Sequence, residues 1–148
     1  MNNSNQQQKL KLIQHETMAA KALLETLENE FLALNERATP EEITNIAKQK
    51  ERELIQMEQA SLERTSLIDP SDPQLEREPL RSAWHALLKL AQGCQRQNQI
   101  NGCIINSAQR HAEQAIAILH GQNPDAGVGY GSSGKAISDR QGRSLAKA

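Results

Sequence analysis

Residues 79–121 read PLRSAWHALLKLAQGCQRQNQINGCIINSAQRHAEQAIAILHG, and they carry the most regular apolar pattern of this 148-residue chain. Apolar, small or amide side chains recur every three or four residues, at Leu80, Trp84, Leu87, Ala91, Cys94, Asn98, Asn101, Ile105, Ala108, Ala112, Ala115 and Leu119. This seven-residue repeat predicts one long helix that packs lengthwise on neighbouring helices. Asn98 and Asn101 put a polar layer in the middle of the seam, where polar residues commonly set the register.

Two more helices are predicted before this one, over about residues 5–37 and 40–66. Thr39 is expected to cap the second of them, with Pro40 at its first position and Glu42 completing a capping box. So short a connection makes the two helices antiparallel. The inner face of the second helix is predicted to contain Ile43, Ala47, Lys50, Leu54, Met57, Ser61 and Thr65.

Breaks in the pattern define the organisation of the chain. Pro70 and Pro73 lie in a Ser/Asp-rich segment through which no helix passes. After Gly121 the apolar repeat stops, and residues 122–148 are predicted to be a flexible Gly/Ser-containing tail. The expected fold is therefore all-α, an elongated antiparallel three-helix bundle or coiled coil over residues 1–121 followed by that tail.

The composition excludes several classes of protein. Aromatic residues make up 2% of the chain, too few for the core of a typical β-sandwich or α/β enzyme. The net charge of -1 lacks the basic excess of a nucleic-acid binder, and no apolar run is long enough for a membrane span. The N-terminus has no apolar core of a secretory signal, and Cys94 and Cys103 are expected to be free thiols in a reducing compartment. We therefore expect a cytoplasmic binding protein that is not an enzyme and has no cofactor.

Residues 129–134, GYGSSG, match the literal dinucleotide pattern Gly-x-Gly-x-x-Gly. Phosphate binding by this pattern requires a strand before it and a helix after it, and neither is predicted here. The pattern therefore indicates flexible chain rather than a cofactor site.

The histidines and the heptad repeat leave two other functions open. No two histidines have the i, i+4 spacing of a helical zinc site, so no metal is expected at His15, His85, His111 or His120. His85 precedes Lys89 on a turn predicted to be exposed, as in a histidine phosphotransfer module. The strict heptad also suits a self-associating coiled-coil adaptor that forms a homodimer.

A group of C-terminal motifs resembles the FlgN family of flagellar type III export chaperones. Asn101-Gly102 is followed by the apolar step Ile104-Ile105, by a polar stretch, and by the Ala/Leu-rich end of the helix, QAIAIL at residues 114–119. The Tyr-Gly-x-x-Gly element of that family is matched by Tyr130-Gly131-Ser132-Ser133-Gly134. The order of two helices, an acidic break, a longer helix and a tail is similar too, so the resemblance covers nearly the whole chain.

The resemblance implies a cytoplasmic chaperone that binds hook-filament junction proteins, prevents their premature association and delivers them to the flagellar type III export gate. Client contacts are implied in the C-terminal part of the chain. We expect them at Asn101, Gly102, Ile104, Ile105, Ala108, Ala112, Ala115 and Leu119, because Gly102 allows another backbone to come close. Tyr130, with Gly131 and Gly134, is expected to contact the export gate.

Overall fold

The structure is a computed structural model and describes residues 2–121, 128–130 and 136–138. The three predicted helices are confirmed, and a short 3-10 turn and two short strands are additions to the prediction. In chain order the elements are α1 (Asn2–Asn35), α2 (Pro40–Thr65), the 3-10 turn (Pro73–Glu76), α3 (Leu80–Leu119), β1 (Val128–Tyr130) and β2 (Ala136–Ser138).

The chain divides into two compact units, Met1–Asn101 and Gly102–Ala148. The division lies inside α3. The first unit contains α1, α2, the 3-10 turn and the first part of α3. The second contains the rest of α3 and the two strands.

The connection between α1 and α2 has the predicted capping box. The backbone N–H of Glu42 donates to Thr39 Oγ1 at 3.2 Å, and the backbone N–H of Thr39 donates to Glu42 Oε2 at 3.0 Å. Arg37, just after α1, has a φ of 55°, a left-handed conformation that turns the chain out of the helix. These local features begin α2 at Pro40.

Contacts between the helices define their directions in the first unit. Arg64 of α2 pairs with Glu16 of α1, and Lys50 of α2 pairs with Glu30 of α1. Moving forward along α1 therefore means moving backward along α2, and these two helices are antiparallel. Hydrogen bonds from Cys94 to Ala20 and from Asn101 to Leu27 both span 74 residues, so α1 and α3 run parallel. The predicted bundle is confirmed with an up-down-up arrangement.

The core of the first unit consists of two apolar clusters. The larger one combines α1, α3 and the segment between α2 and α3, and its buried members are Ile13, Ala20, Ile68, Leu75, Leu80 and Leu87. The smaller one contains Leu23, Leu27 and Cys94. Burying an aliphatic side chain of this size contributes about 1.5–3 kcal/mol, so the proline-containing segment stabilises the bundle through Ile68 and Leu75.

Polar contacts also link the proline-containing segment between α2 and α3 to α1. The Lys9 ammonium donates to Asp72 Oδ2 and to Gln74 Oε1, the latter at 3.0 Å. The hydrogen bond from Lys9 lowers the pKa of the Asp72 carboxyl, because it stabilises the ionised form. Hydrogen bonds from Ser71 lower the pKa of the Asp69 carboxyl in the same way.

The predicted inner face of α2 was wrong at several positions. The buried residues of this helix are Glu53, Ala60 and Arg64, whereas Ala47 and Thr65 are exposed and Leu54 is 47% exposed. The face is displaced because charged residues occupy it. Arg64 and Lys50 pair with carboxylates of α1, and Gln49 donates to Glu53 Oε1 at 2.8 Å.

The second unit contains the C-terminal part of α3 and a pair of strands. Gly121, with a φ of 70°, follows α3 and donates its N–H to the Ile118 carbonyl at 3.0 Å, as left-handed residues after helix ends do. β1 and β2 pair antiparallel with Gly129 opposite Ile137. The rest of the predicted tail lies outside the described residues.

None of the helices has an apolar stretch long enough to cross a membrane, as far as the described residues extend.

Candidate functional site

The seven-residue repeat of α3 changes from buried to exposed along the helix. Leu80, Leu87, Cys94 and Asn101, each seven residues after the last, are all buried. The next two positions of the same repeat, Ala108 and Ala115, are exposed. A repeat that fills the bundle in the first unit therefore continues in the second unit as open surface.

This open surface includes six of the predicted client-binding positions, and we call it the distal seam. It consists of Ile104, Ile105, Ala108, Ala112, Ala115 and Leu119. Ile104 and Ile105 are half-buried, the three alanines are exposed, and Leu119 is 85% exposed. Ile116, which borders the seam, is 54% exposed. A run of exposed and half-buried aliphatic side chains on one helix face is typical of an interaction surface.

Asn101, also predicted to contact a client, lies inside the bundle. Its side chain is 0% exposed, and its Nδ2 donates to the Leu27 carbonyl at 2.9 Å and to Glu30 Oε1 at 2.8 Å. Gln97 donates to Asn101 Oδ1 at 3.0 Å, and Lys50 donates to Glu30 Oε1 at 3.2 Å. Asn101 thus joins a polar layer that links all three helices, and its side chain is not available to a partner in this conformation.

The predicted polar layer differs in one member. Asn98 is exposed, and Glu30 and Lys50 take its place beside Asn101. Buried polar layers of this kind set the register of packed helices.

The two helical glycines of α3 have different surroundings. A Cβ added at Gly93 would meet the Leu24 side chain at 3.6 Å, which is ordinary contact. A Cβ added at Gly102 would meet nothing within 4 Å. Glycine costs about 1 kcal/mol relative to alanine inside a helix, and no contact of the described residues requires it at Gly102.

The second unit has almost no charge along its part of α3. Between residues 102 and 121 the only ionised side chains are Arg110 and Glu113, which cancel when histidines are neutral. Electrostatic steering therefore contributes little to association at this surface.

A buried ion pair between Glu16 of α1 and Arg64 of α2 was not predicted from the sequence. Arg64 donates to the carboxylate of Glu16, and its guanidinium carbon lies 5.0 Å from the ring centroid of Trp84. The pairs Glu16–Arg64 and Glu30–Lys50 are separated by two heptads on each helix. That spacing was the sequence signal that could have revealed them.

The cysteines are not paired with each other, and the histidines lie on the surface of the described residues. Cys94 is buried and Cys103 exposed, and both are free thiols. Burial raises the pKa of the Cys94 thiol, whose Sγ donates to the Ala20 carbonyl at 3.3 Å, so the thiol stays protonated. The four histidines are exposed, with His15 Nδ1 3.7 Å from Glu63 Oε2. Among residues 2–121 and the two strands, no group of three His, Cys, Asp or Glu side chains is placed to hold a metal ion.

The predicted export-gate residues fall in the C-terminal part of the second unit. Tyr130 is the last residue of β1, opposite Ala136. Gly131 and Gly134 lie outside the described residues.

Residues 1–137 match the family model described as FlgN protein. No curated protein and no solved structure matches the chain.

Proposed function

Because the chain belongs to the FlgN family of flagellar export chaperones, we propose that it binds hook-filament junction proteins in the cytoplasm. Binding keeps these proteins from associating prematurely, and the chain then delivers them to the flagellar type III export gate.

The exposed distal seam is the observation that carries this proposal. Its aliphatic side chains continue a heptad, so they suit an amphipathic helix of the client laid along α3. Covering Leu119 and Ile105 removes apolar surface from water at about 25 cal/mol per Å². The client's own apolar stripe is covered at the same time, which is how a chaperone of this kind prevents early association.

Mixing the purified chain with a purified hook-filament junction protein tests the proposal. Size-exclusion chromatography with light scattering should show a complex of defined stoichiometry, and the bound client should no longer associate with its junction partner. A client that elutes separately at micromolar concentrations of both proteins would contradict the proposal.

We assign contact with the export gate to Tyr130, Gly131 and Gly134, outside the distal seam. Tyr130→Ala should therefore leave client binding unchanged and reduce secretion of the client in motile cells. Tyr130 belongs to β1, whereas the distal seam consists of residues of α3. Secretion equal to that of the unmodified chain would contradict this assignment. Val128→Ala, on the same strand, is the matched control.

A further inference from the structure

We propose that the outer face of α2 is a second interaction surface, which takes a helix of another protein that presents aliphatic and basic side chains. The surface consists of Glu51, Ile55, Glu58 and Leu62, and we call it the outer stripe. This inference concerns a partner other than the hook-filament junction protein, and the outer stripe lies on a different helix from the distal seam.

The spacing of these four residues places them on one side of α2. The steps between them are four, three and four residues, so acidic and aliphatic side chains alternate along one helix face as they do in a packed heptad. The outer stripe is about 16 Å long, because each residue of a helix rises about 1.5 Å. A partner helix of three to four turns covers this length.

The outer stripe is open to solvent. Ile55 is 51% exposed and Leu62 is 64% exposed, and Leu54, which borders the stripe, is 47% exposed. Glu51 and Glu58 are exposed as well. Single exposed aliphatic side chains are ordinary on a protein surface, whereas several together on one side of a helix indicate an interaction surface.

The bundle contacts the opposite side of α2. The buried residues of this helix are Glu53, Ala60 and Arg64. Ile55 follows Glu53 by two residues, and Leu62 follows Ala60 by two residues, which corresponds to about 200° around the helix axis. Because α2 buries its inner face against α1, the outer stripe is left for another molecule.

The carboxylates of the outer stripe indicate the charge of the partner. Among the ion pairs of the described residues, none involves Glu51 or Glu58. Glu58 lies between Ile55 and Leu62 in the repeat, so a helix that covers both aliphatic side chains also covers this carboxylate. A lysine or arginine at the facing position pairs with it, whereas an acidic residue there is repelled. Lys48 lies one step before Glu51, so the negative charge is strongest at the Glu58 end.

The same carboxylates argue against a second copy of this chain as the occupant. In a parallel pair of outer stripes, Glu51 and Glu58 would each face the same residue of the other copy. In an antiparallel pair that puts Ile55 on Leu62, the two Glu58 side chains would meet at the centre of the contact. Like charges in such positions disfavour both arrangements. Nucleic acid and anionic lipid surfaces are repelled by these carboxylates too.

The two kinds of side chain have different roles in the contact. Covering Ile55 and Leu62 removes apolar surface from water, which supplies the affinity. Exposed ion pairs add little affinity, but they determine which partner is accepted. We therefore expect the outer stripe to bind basic amphipathic helices and to reject acidic helices that have the same apolar pattern.

Two synthetic helical peptides test this inference on the full-length chain. Both carry leucine at one inner position of a three-heptad repeat, and the other inner position is lysine in the first peptide and glutamate in the second. In fluorescence anisotropy at low salt, we expect the lysine peptide to bind at least about tenfold more tightly than the glutamate peptide. Glu51→Lys with Glu58→Lys should reverse this preference. Glu25→Lys with Glu28→Lys, at exposed residues of α1, makes the same change of net charge and should still prefer the lysine peptide.

A second double variant tests the apolar part of the outer stripe. Ile55→Gln with Leu62→Gln removes the aliphatic contacts, adds no charge and keeps a good helix former. It should bind the lysine peptide at least about tenfold more weakly and bind the hook-filament junction protein as the unmodified chain does. Circular dichroism checks that the variant keeps its helical content.

Four results would overturn the inference. The first is equal binding of the two peptides by the unmodified chain, and the second is an unchanged preference in the Glu51/Glu58 variant. The third is lysine-peptide binding that survives in the Ile55/Leu62 variant and is lost in Ile105→Asp with Leu119→Asp, which would place the peptide on the distal seam and leave the proposed function standing. The fourth is a dimer of the chain alone that the Ile55/Leu62 variant dissociates, which would show that a second copy covers the outer stripe.

Discussion

Replacing Ile105 and Leu119 together by aspartate should abolish binding of the hook-filament junction protein. Each replacement removes an aliphatic contact and puts a carboxylate into the face that the client helix covers. Losing one buried aliphatic side chain costs about 1.5–3 kcal/mol, and two such losses correspond to more than about a hundredfold in affinity. Isothermal titration with the purified client measures the effect.

Two controls separate loss of contact from loss of folding. Ile55→Asp with Leu62→Asp makes the same chemical change on α2, at residues that are exposed in the first unit. That double variant should bind normally. Leu119→Asp alone changes a large apolar residue that is 85% exposed and should weaken binding while leaving the helical circular dichroism unchanged. Undiminished binding by the Ile105/Leu119 variant, with its helical content preserved, would refute the distal seam as the client site.

Replacing Arg64 by alanine should destabilise the first unit more than any other change of a single charge. Glu16 would remain buried without its partner, and breaking a buried pair in this way costs about 3–5 kcal/mol. For a domain of this size the midpoint of thermal unfolding should fall on the order of 10 °C or more. The fluorescence of Trp84, the only tryptophan and a neighbour of Arg64, should change as well.

The matched variant replaces both members of the pair. Glu16→Leu with Arg64→Met removes both charges and keeps side chains of similar volume, so its stability should be close to that of the unmodified chain or higher. Equal destabilisation of the single and double variants would mean that packing, and not an unpaired charge, accounts for the effect of Arg64→Ala. A drop of only a few degrees in the single variant would show that Glu16 finds water or another partner.

The sequence was sufficient for the helices and insufficient for the inner face of α2. The alternating spacing of apolar residues predicted the helix α3, and the capping box of Thr39 and Glu42 predicted the start of α2. Both signals lie in neighbouring residues, and both predictions were confirmed. Hydrophobic periodicity assigns charged residues to the surface, so it missed Glu53 and Arg64 as inner residues of α2. The burial of Arg64 depends on Glu16 in α1, a partner 48 residues away that the periodicity of α2 by itself does not show.

For the candidate site, the sequence predicted which residues share a helix face but not which of them are exposed. Periodicity correctly put Ile105, Ala108 and Leu119 on one face of a helix. It could not show where along α3 that face stops being covered, because the buried and the exposed positions belong to one repeat. Asn101 belongs to the Asn-Gly step that carries the family resemblance, and it was grouped with the client-binding residues on that ground. Only the contacts of its amide with Leu27 and Glu30 show that it belongs to the bundle.

Hydrogen exchange of the complex with the junction protein tests the central claim most directly. Mass spectrometry should show that binding slows amide exchange in residues 102–119, while peptides of α1 and α2 exchange as they do in the free chain. Protection confined to α1 and α2, or complex formation with no change over residues 102–119, would contradict the assignment of the client site to the distal seam.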